Sequence, residues 1–211
     1  YAWNTYDILD KILKKTTPAS ALHAIIENES LRFPKGSLRM RFNTNHDKNA
    51  WDAPAVEKFG TEGAKLTAAL MFTFPGVPLI YNGEEVGNPK RLALFEKVPI
   101  EWKDQGGFRR LYQELIRMRM NHPVFRHGEY RAIRNTDPGH VYSFARTGEE
   151  ETAVCVFNCS GQTAKVSLSL EDLAGPVFKE VLTGETVTGA APEVTLRPLS
   201  FKIFTASGTR K

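Results

Sequence analysis

Three adjacent polar side chains of different chemistry follow a short apolar segment in the first quarter of the chain. They are Asn45, His46 and Asp47, within the sequence R-F-N-T-N-H-D that starts at Arg41. A carboxamide, an imidazole and a carboxylate at a strand end can bind a polyhydroxylated ligand and stabilise positive charge that develops on it. We therefore interpret Asn45-His46-Asp47 as a candidate site for a hydroxyl-rich substrate.

A second polar segment lies further along the chain and has the same organisation. It carries Glu84 and Glu85 in the sequence G-V-P-L-I-Y-N-G-E-E-V-G, which starts at Gly76. A short apolar run there enters an acidic loop bounded by glycines, and one helical pattern separates the two segments. Strand, polar loop, helix, strand and acidic loop is the order of a βαβ unit with a site at the carboxyl ends of its strands.

The composition is that of an ordinary globular protein and argues against two classes of partner. The 211 residues are 41% hydrophobic and 25% charged, with a formal net charge of +4. The basic residues are scattered, and their clusters fall in helical patterns, so we expect no nucleic-acid partner. No apolar run approaches the roughly 20 residues of a membrane-spanning helix, so we expect no membrane partner either.

The two cysteines, Cys155 and Cys159, are four positions apart in a strand pattern. On one strand their Cα atoms would be roughly 13 Å apart, whereas a disulfide needs less than about 7 Å. We expect two buried free thiols unless a turn intervenes. The sequence has no set of four ligands with metal-binding spacing, and we assign no metal site.

The elements around the candidate site are predicted from periodicity and turn residues. Helical patterns cover residues 1–15 and 19–31, and a short strand covers 38–42. The next helix starts near Asp52 and Pro54, is interrupted at Gly60 and ends before Pro75-Gly76. A strand over 77–81 is expected to be buried on both faces, and a long loop with little periodicity then runs from 83 to 107.

The period of the pattern changes in the second half of the chain. The clearest amphipathic helix covers 108–120, and seven short strand patterns follow it. Turn residues, among them Gly175-Pro176, separate these strands, which is typical of an antiparallel β-sandwich. We therefore predict a fold that is α/β followed by all-β, with a first domain over residues 1–122 and a sandwich domain over 123–211.

An ordered set of motifs resembles the α-amylase family of glycoside hydrolases, family 13. F-N-T-N-H-D resembles that family's signature at the seventh strand of its TIM (β/α)8 barrel, and G-V-P-L-I-Y-N-G-E-E-V-G resembles its eighth-strand segment. L-F-E-K-V-P-I-E-W resembles the following loop. L-I-R-M-R-M-N-H-P-V-F-R-H-G resembles the last barrel helix entering the C-terminal sandwich, and Y-A-W-N-T-Y resembles the chain after the sixth strand. The resemblance covers essentially the whole chain and implies the last two barrel strands with their helices plus the sandwich.

The resemblance implies retaining cleavage of α-glucosidic bonds in starch-like α-glucans. Asp47 corresponds to the third catalytic carboxylate, which stabilises the distorted sugar and its oxocarbenium-like transition state. His46 then binds hydroxyls of the sugar in the cleavage subsite, and Asn45 shapes the loop. A fixed carboxylate beside a developing cation favours the transition state over the ground state.

Three further residues are candidate substrate-binding groups. Trp51 is placed to stack on a sugar face, although packing is an ordinary role for a lone tryptophan. Glu84 or Glu85 would line the substrate cleft or hold His46 through a hydrogen bond. The ordinary alternative is that both side chains lie in a loop exposed to solvent.

The family's nucleophile and acid/base have no counterpart in the sequence, and the chain starts in mid-pattern with Tyr1. We expect a C-terminal fragment that is inactive alone and whose missing N-terminal barrel part belongs to the parent chain, a separate chain or an oligomer. The alternative function is a non-catalytic carbohydrate-binding or packing module derived from an amylase. By resemblance only, calcium is allowed in the complete protein, and the location is extracellular or periplasmic.

Overall fold

The computed structural model describes residues 1–173 and 177–208. The chain first forms two parallel strands with their flanking helices, and then an antiparallel region of eight strands. The turn predicted at Gly175-Pro176 lies outside the described residues.

Two helices open the chain and pack against each other. α1 spans Trp3–Leu13 and buries Tyr6, Leu9 and Ile12, while α2 spans Ala21–Arg32. The buried face of α2 includes Glu29, which breaks the apolar pattern of that face. Such a carboxylate needs a partner, because an unpaired buried charge is strongly destabilising.

The parallel sheet consists of β1 (Met40–Arg41) and β2 (Val77–Pro78). Each of these strands is shorter than the strand predicted from the sequence. On the other side of β1, the backbone N–H of Ala2 donates to the carbonyl of Met40 at 2.9 Å. The prediction that residues 77–81 are buried on both faces is wrong: Val77 is 45% exposed. Within the described residues β2 pairs on one side only, so its other side has no strand to cover it.

The segment after β1 contains a helix that the sequence did not predict. α3 spans His46–Trp51, and α4 spans Ala55–Thr73 and leads into β2. α4 is kinked at Gly60, whose φ of 69° is left-handed and favours glycine. The predicted interruption of this helix at Gly60 is confirmed.

The long loop after β2 returns the chain to the helical layer. Within the described residues of this loop, the regular structure is a 3₁₀ turn over Glu84–Val86. The loop ends at α5, Phe108–Asn121, where both carboxylate oxygens of Asp104 accept hydrogen bonds from the first backbone N–H groups of the helix. A short helix, α6 (Val124–His127), then leads into the strands.

The antiparallel region is a sandwich of unequal layers. A six-stranded sheet has the order β3-β4-β5-β10-β7-β8, and β6 and β9 pair with each other as a second layer. The seven predicted strands are present with shifted ends, and β8 is an additional strand. Their bounds are β3 Glu129–Ala132, β4 Val141–Thr147, β5 Glu151–Asn158, β6 Ala164–Ser167, β7 Val177–Glu180, β8 Thr186–Thr188, β9 Glu193–Leu196 and β10 Ser200–Ser207.

Both faces of the large sheet are buried, and each faces a different layer. Tyr142, Phe144 and Phe157 pack in one core with the helices, whereas Val154 and Val156 pack in a second core with β6 and β9. The alternation follows from the two-residue period of a strand. Because the first core joins the helices to the sheet, it crosses the predicted boundary at residue 122, and that boundary stays a prediction. Cys155 and Cys159 are buried free thiols, as expected.

Candidate functional site

Asn45 forms the entrance to α3. Its backbone is extended, with φ −151°, and its side-chain Oδ1 accepts a 2.8 Å hydrogen bond from the backbone N–H of Lys48. This is an N-cap, in which a short polar side chain satisfies a backbone donor of the first helical turn. The prediction that His46 and Asp47 lie in a loop is therefore wrong, because the cap allows a helix to begin directly at His46.

The side chains of His46 and Asp47 project from the first turn of α3, and each is 49% exposed. His46 Nε2 lies 3.6 Å from Asp47 Oδ1, which is beyond ordinary hydrogen-bond length. The His46 ring also lies 6.3 Å from the ring of Tyr1. An imidazole and a carboxylate are thus adjacent and accessible at the carboxyl end of β1.

Trp51 shares a helix face with Asp47. The two residues are four positions apart in α3, and each helical residue turns by about 100°, so their side chains project in nearly the same direction. Trp51 is 71% exposed. The accessible indole and the Asp47 carboxylate therefore project from the same side of α3. By the same helical geometry, His46 is directed about 140° away from Trp51.

An aromatic cluster adjoins α3 at His46 and Lys48, and we did not single it out from the sequence. The ring of Phe42 contacts the rings of Tyr1, Trp3 and Tyr6 at centroid distances of 5.6, 5.1 and 5.3 Å. Lys48 Nζ lies 4.8 Å from the centroid of the Tyr6 ring, a cation–π distance. The density of aromatic residues in Y-A-W-N-T-Y was the signal available in the sequence.

The end of α3 is fixed to α4 by a polar contact. Tyr6 Oη donates a 3.0 Å hydrogen bond to Asp52 Oδ2, and the Lys58 ammonium donates to the same oxygen. Burial alone would raise the pKa of Asp52, but the hydrogen bonds from Lys58 and Tyr6 lower it below the usual value. These contacts hold the short helix in place.

Glu84 and Glu85 lie in the 3₁₀ turn after β2. Glu84 Oε2 accepts a 2.6 Å hydrogen bond from the backbone N–H of Tyr81, and Glu84 Oε1 is buried without a partner. Burial raises the pKa of Glu84 well above its usual value, the Tyr81 hydrogen bond partly opposes this, and the neighbouring Glu85 adds to it. The Glu84 carboxyl thus bonds the Tyr81 backbone and does not hold His46. Glu85 Oε2 is also buried without a hydrogen-bond partner, and within the described residues no hydrogen bond joins Glu85 to His46.

Two buried contacts position the strand end and the loop. Arg41 Nη2 pairs with Glu29 Oε2 at 2.6 Å, and Arg41 Nε donates to the carbonyl of Pro75 at 2.7 Å, which joins α2, β1 and the turn before β2. Asn49 Oδ1 accepts a 2.6 Å hydrogen bond from the backbone N–H of Leu92 in the long loop. Sequence reasoning missed the pair because its partners belong to different elements.

The described residues also bear on metal binding and on membrane insertion. Over residues 1–173 and 177–208, no group of three or more His, Cys, Asp and Glu side chains is arranged to hold a metal ion. Over the same residues, none of the helices has the length and apolar character needed to cross a membrane. Calcium in the complete protein stays a prediction.

Comparison with known proteins identifies the region. The family model described as "Maltogenic Amylase, C-terminal domain" matches residues 130–203. The chain is 30% identical over 161 residues to Neopullulanase 2 of Thermoactinomyces vulgaris, covering 71% of this chain and 28% of that protein. It is 26% identical over 187 residues to the α-amylase MalA of Haloarcula japonica, covering 86% of this chain and 26% of that protein.

Solved structures agree with the fold. The maltogenic α-amylase AmyB of Thermotoga neapolitana superposes with a TM-score of 0.83 at 21% identity, over 98% of this chain and 50% of that one. Ttha1563 of Thermus thermophilus superposes with a TM-score of 0.75 at 27% identity, over 90% of this chain and 40% of that one. The predicted fold class is confirmed, and the chain spans half or less of these structures and about a quarter of the curated relatives.

The two parallel strands with their helices, the following sandwich and the matches to amylase-family proteins along the chain agree with one another. The chain therefore belongs to the α-amylase family of glycoside hydrolases, family 13, and corresponds to its C-terminal region.

Proposed function

We propose that this chain is the C-terminal part of a retaining glycoside hydrolase that cleaves α-glucosidic bonds in starch-like α-glucans. The observation that carries the proposal is the exposed face of α3, where Asp47 and Trp51 project together beside His46 at the carboxyl end of β1. The names of relatives, which include neopullulanase, α-amylase and cyclomaltodextrinase, support an α-glucan substrate.

Asp47 is proposed to stabilise the oxocarbenium-like transition state. A half-exposed carboxylate becomes more stabilising as positive charge grows on the sugar ring, which lowers the barrier more than it strengthens substrate binding. Burial of the rest of the site by a bound sugar would strengthen this interaction, because water screens it less.

The neighbouring groups are proposed to bind and orient the sugar. His46 donates or accepts hydrogen bonds with sugar hydroxyls, Trp51 stacks on a sugar face, and Asn45 fixes the start of the helix that carries both. Glu85 lines the base of the cleft, and Glu84 supports it from beneath, since its residue is only 9% exposed.

Retaining hydrolysis also needs a nucleophile and an acid/base whose carboxyl groups lie about 5–5.5 Å apart across the scissile bond. We propose that both residues lie in the part of the family's fold that this chain does not cover. The partner is then the N-terminal barrel part, in the same polypeptide, in a second chain or through oligomerisation.

The test is made on the parent protein with reducing-sugar release from soluble starch, after its intact mass has been measured. Asp47→Asn is expected to lower kcat about 100- to 1,000-fold, the range for losing one preorganised electrostatic group. Asp7→Asn, an exposed carboxylate on α1, is the matched control and should leave kcat unchanged. A parent protein whose kcat survives Asp47→Asn would refute the assignment, and so would retaining activity in the pure 211-residue chain.

A second candidate function is carbohydrate binding without catalysis, and the 71% exposure of Trp51 favours it for the chain alone. Calorimetric titration of the 211-residue chain with maltoheptaose should then show binding that Trp51→Ala abolishes. Trp102→Ala is the control, because Trp102 is also exposed but lies in the long loop. If the wild-type chain shows no heat of binding, this function is excluded.

A further inference from the structure

The Glu84 carboxyl group is enclosed without a positive charge to balance it. It lies in the 3₁₀ turn after β2, and its residue is 9% exposed. Oε2 accepts the 2.6 Å hydrogen bond from the Tyr81 backbone, and Oε1 is buried without a hydrogen-bond partner. Among the ion pairs formed by residues 1–173 and 177–208, none includes Glu84.

The groups that face this carboxyl are acidic or neutral. Glu85 in the same turn is a second carboxyl group, and the phenol of Tyr112 approaches from α5. Asn43, two residues after β1, lines the same small cavity as Glu84 and Tyr112. An ionised Glu84 would therefore be desolvated beside another carboxyl group, with one backbone N–H as its compensation, which is the arrangement that favours the neutral acid.

The turn that carries Glu84 packs closely against its neighbours. Gly83 and Gly87, on either side, both have left-handed φ angles, 88° and 63°. A Cβ atom on Gly87 would lie 2.5 Å from the ring of Phe108, and one on Gly83 would lie 3.0 Å from Cβ of Asn88. The glycines allow the turn to pack closely against α5 and the loop, and Glu84 is buried within this closely packed turn.

We propose that Glu84 is a neutral carboxylic acid at pH 7 and acts as a positioning residue. Its carbonyl oxygen accepts the Tyr81 N–H and holds the end of β2, while its proton removes a second negative charge from the base of the site near Asn43. This protonation state is a property of the Glu84 carboxyl group in this chain and is independent of hydrolysis.

Infrared difference spectroscopy of the 211-residue chain in D₂O tests the protonation state directly. At pH 7 the wild type should show the carbonyl stretch of a protonated carboxyl group, and Glu84→Gln should lose it. Glu85→Gln, the matched control, should keep the band, and Glu84→Asp should shift it. A wild-type spectrum without the band at pH 7, or a band that survives in Glu84→Gln, would overturn the proposal.

The pH dependence of urea unfolding supplies a second readout. A carboxyl group that stays protonated in the folded state ionises in the unfolded state above about pH 4.3. The unfolding constant of the wild type should therefore rise relative to Glu84→Gln by about tenfold per pH unit from pH 5 to 7. Glu85→Gln should follow the wild type. A wild-type to Glu84→Gln ratio that stays constant with pH would show that Glu84 is ionised in the folded chain.

Discussion

Nη1 of Arg146, on β4, donates a 2.8 Å hydrogen bond to the carbonyl oxygen of Thr73, the last residue of α4. Arg146 is 1% exposed, and burial lowers its pKa to about 10, so the guanidinium keeps its charge at neutral pH. A cation at the carboxyl end of a helix is favourable, because unpaired carbonyls there carry partial negative charge. One side chain of the sandwich thus anchors the helix that leads into β2.

Replacing this guanidinium should destabilise the protein. Arg146 also donates to the carbonyls of Phe125 and Gly128. Arg146→Met therefore removes the side-chain donor of the Thr73 and Gly128 carbonyls, while the Phe125 carbonyl keeps its hydrogen bond from Arg119. At about 1–3 kcal/mol for each unsatisfied group, we expect the free energy of unfolding to fall by about 2–4 kcal/mol. Urea denaturation measures it. Arg131→Met, which removes an exposed ion pair with Asp172, should change little, and equal losses in both variants would contradict the anchoring role.

The buried pair between Arg41 and Glu29 gives a second stability prediction. Glu29→Gln keeps the shape of the side chain but leaves the Arg41 guanidinium without its counter-ion, at 1% exposure. Breaking such a pair costs about 3–5 kcal/mol, which thermal and urea denaturation would detect. Glu57→Gln is the control, since Glu57 pairs with Arg91 at the surface. A midpoint for Glu29→Gln that matches this control would show that the pair contributes nothing net.

Because His23 is partly buried, we expect the protein to lose stability in acid. Its Nδ1 lies 2.5 Å from Tyr130 Oη, which in turn lies 2.8 Å from Tyr142 Oη. Burial lowers the pKa of His23, and Glu27 partly opposes this. The folded state therefore prefers the neutral form of His23. The contribution of His23 to stability is fully present above its unfolded pKa of about 6.5 and is lost as the pH drops below that value.

The check is urea unfolding between pH 7.5 and 5. The wild type should lose stability relative to His23→Gln as the pH falls, while His140→Gln, at an exposed turn position, should follow the wild type. A difference between wild type and His23→Gln that does not vary with pH would assign the acid sensitivity to other groups.

Alanine substitutions at Gly87 and Gly189 distinguish the cost of backbone strain from the cost of a steric clash. Gly87→Ala must adopt a left-handed φ of 63° and also place its Cβ 2.5 Å from the Phe108 ring. Gly189→Ala has a similar φ of 89° but meets no atom within 4 Å. Backbone strain alone costs about 1–3 kcal/mol, so Gly189→Ala should show that loss and Gly87→Ala a distinctly larger one. Similar losses in urea denaturation would mean that Phe108 moves aside freely.

The sequence predicted the elements whose pattern is local. The stripe of Phe108, Leu111 and Leu115 identifies α5. The two-residue alternation of Val166 and Leu168 identifies the extended segment that contains β6. The two-residue period and the turn residues sufficed for seven of the eight strands. β8 was missed because it has three residues, too few for a period to be visible.

The candidate site was predicted less completely. Asn45, His46 and Asp47 were found as a chemical group, but α3 was missed, since six residues are too few to show helical periodicity. Because this segment is helical, Trp51 projects from the same side as Asp47. The partnership of Arg41 with Glu29 depends on how α2 packs on β1, which no short-range pattern contains.

The burial of both faces of the large sheet bears on any attempt to isolate the sandwich. A cut near residue 122 would uncover the rings of Tyr142, Phe144 and Phe157, which the helices cover in the intact chain. Such a contiguous aromatic face in water promotes association. A strand-only product would thus aggregate or form dimers through that face, and a soluble shortened version has to retain α4 and α5 or carry polar replacements there.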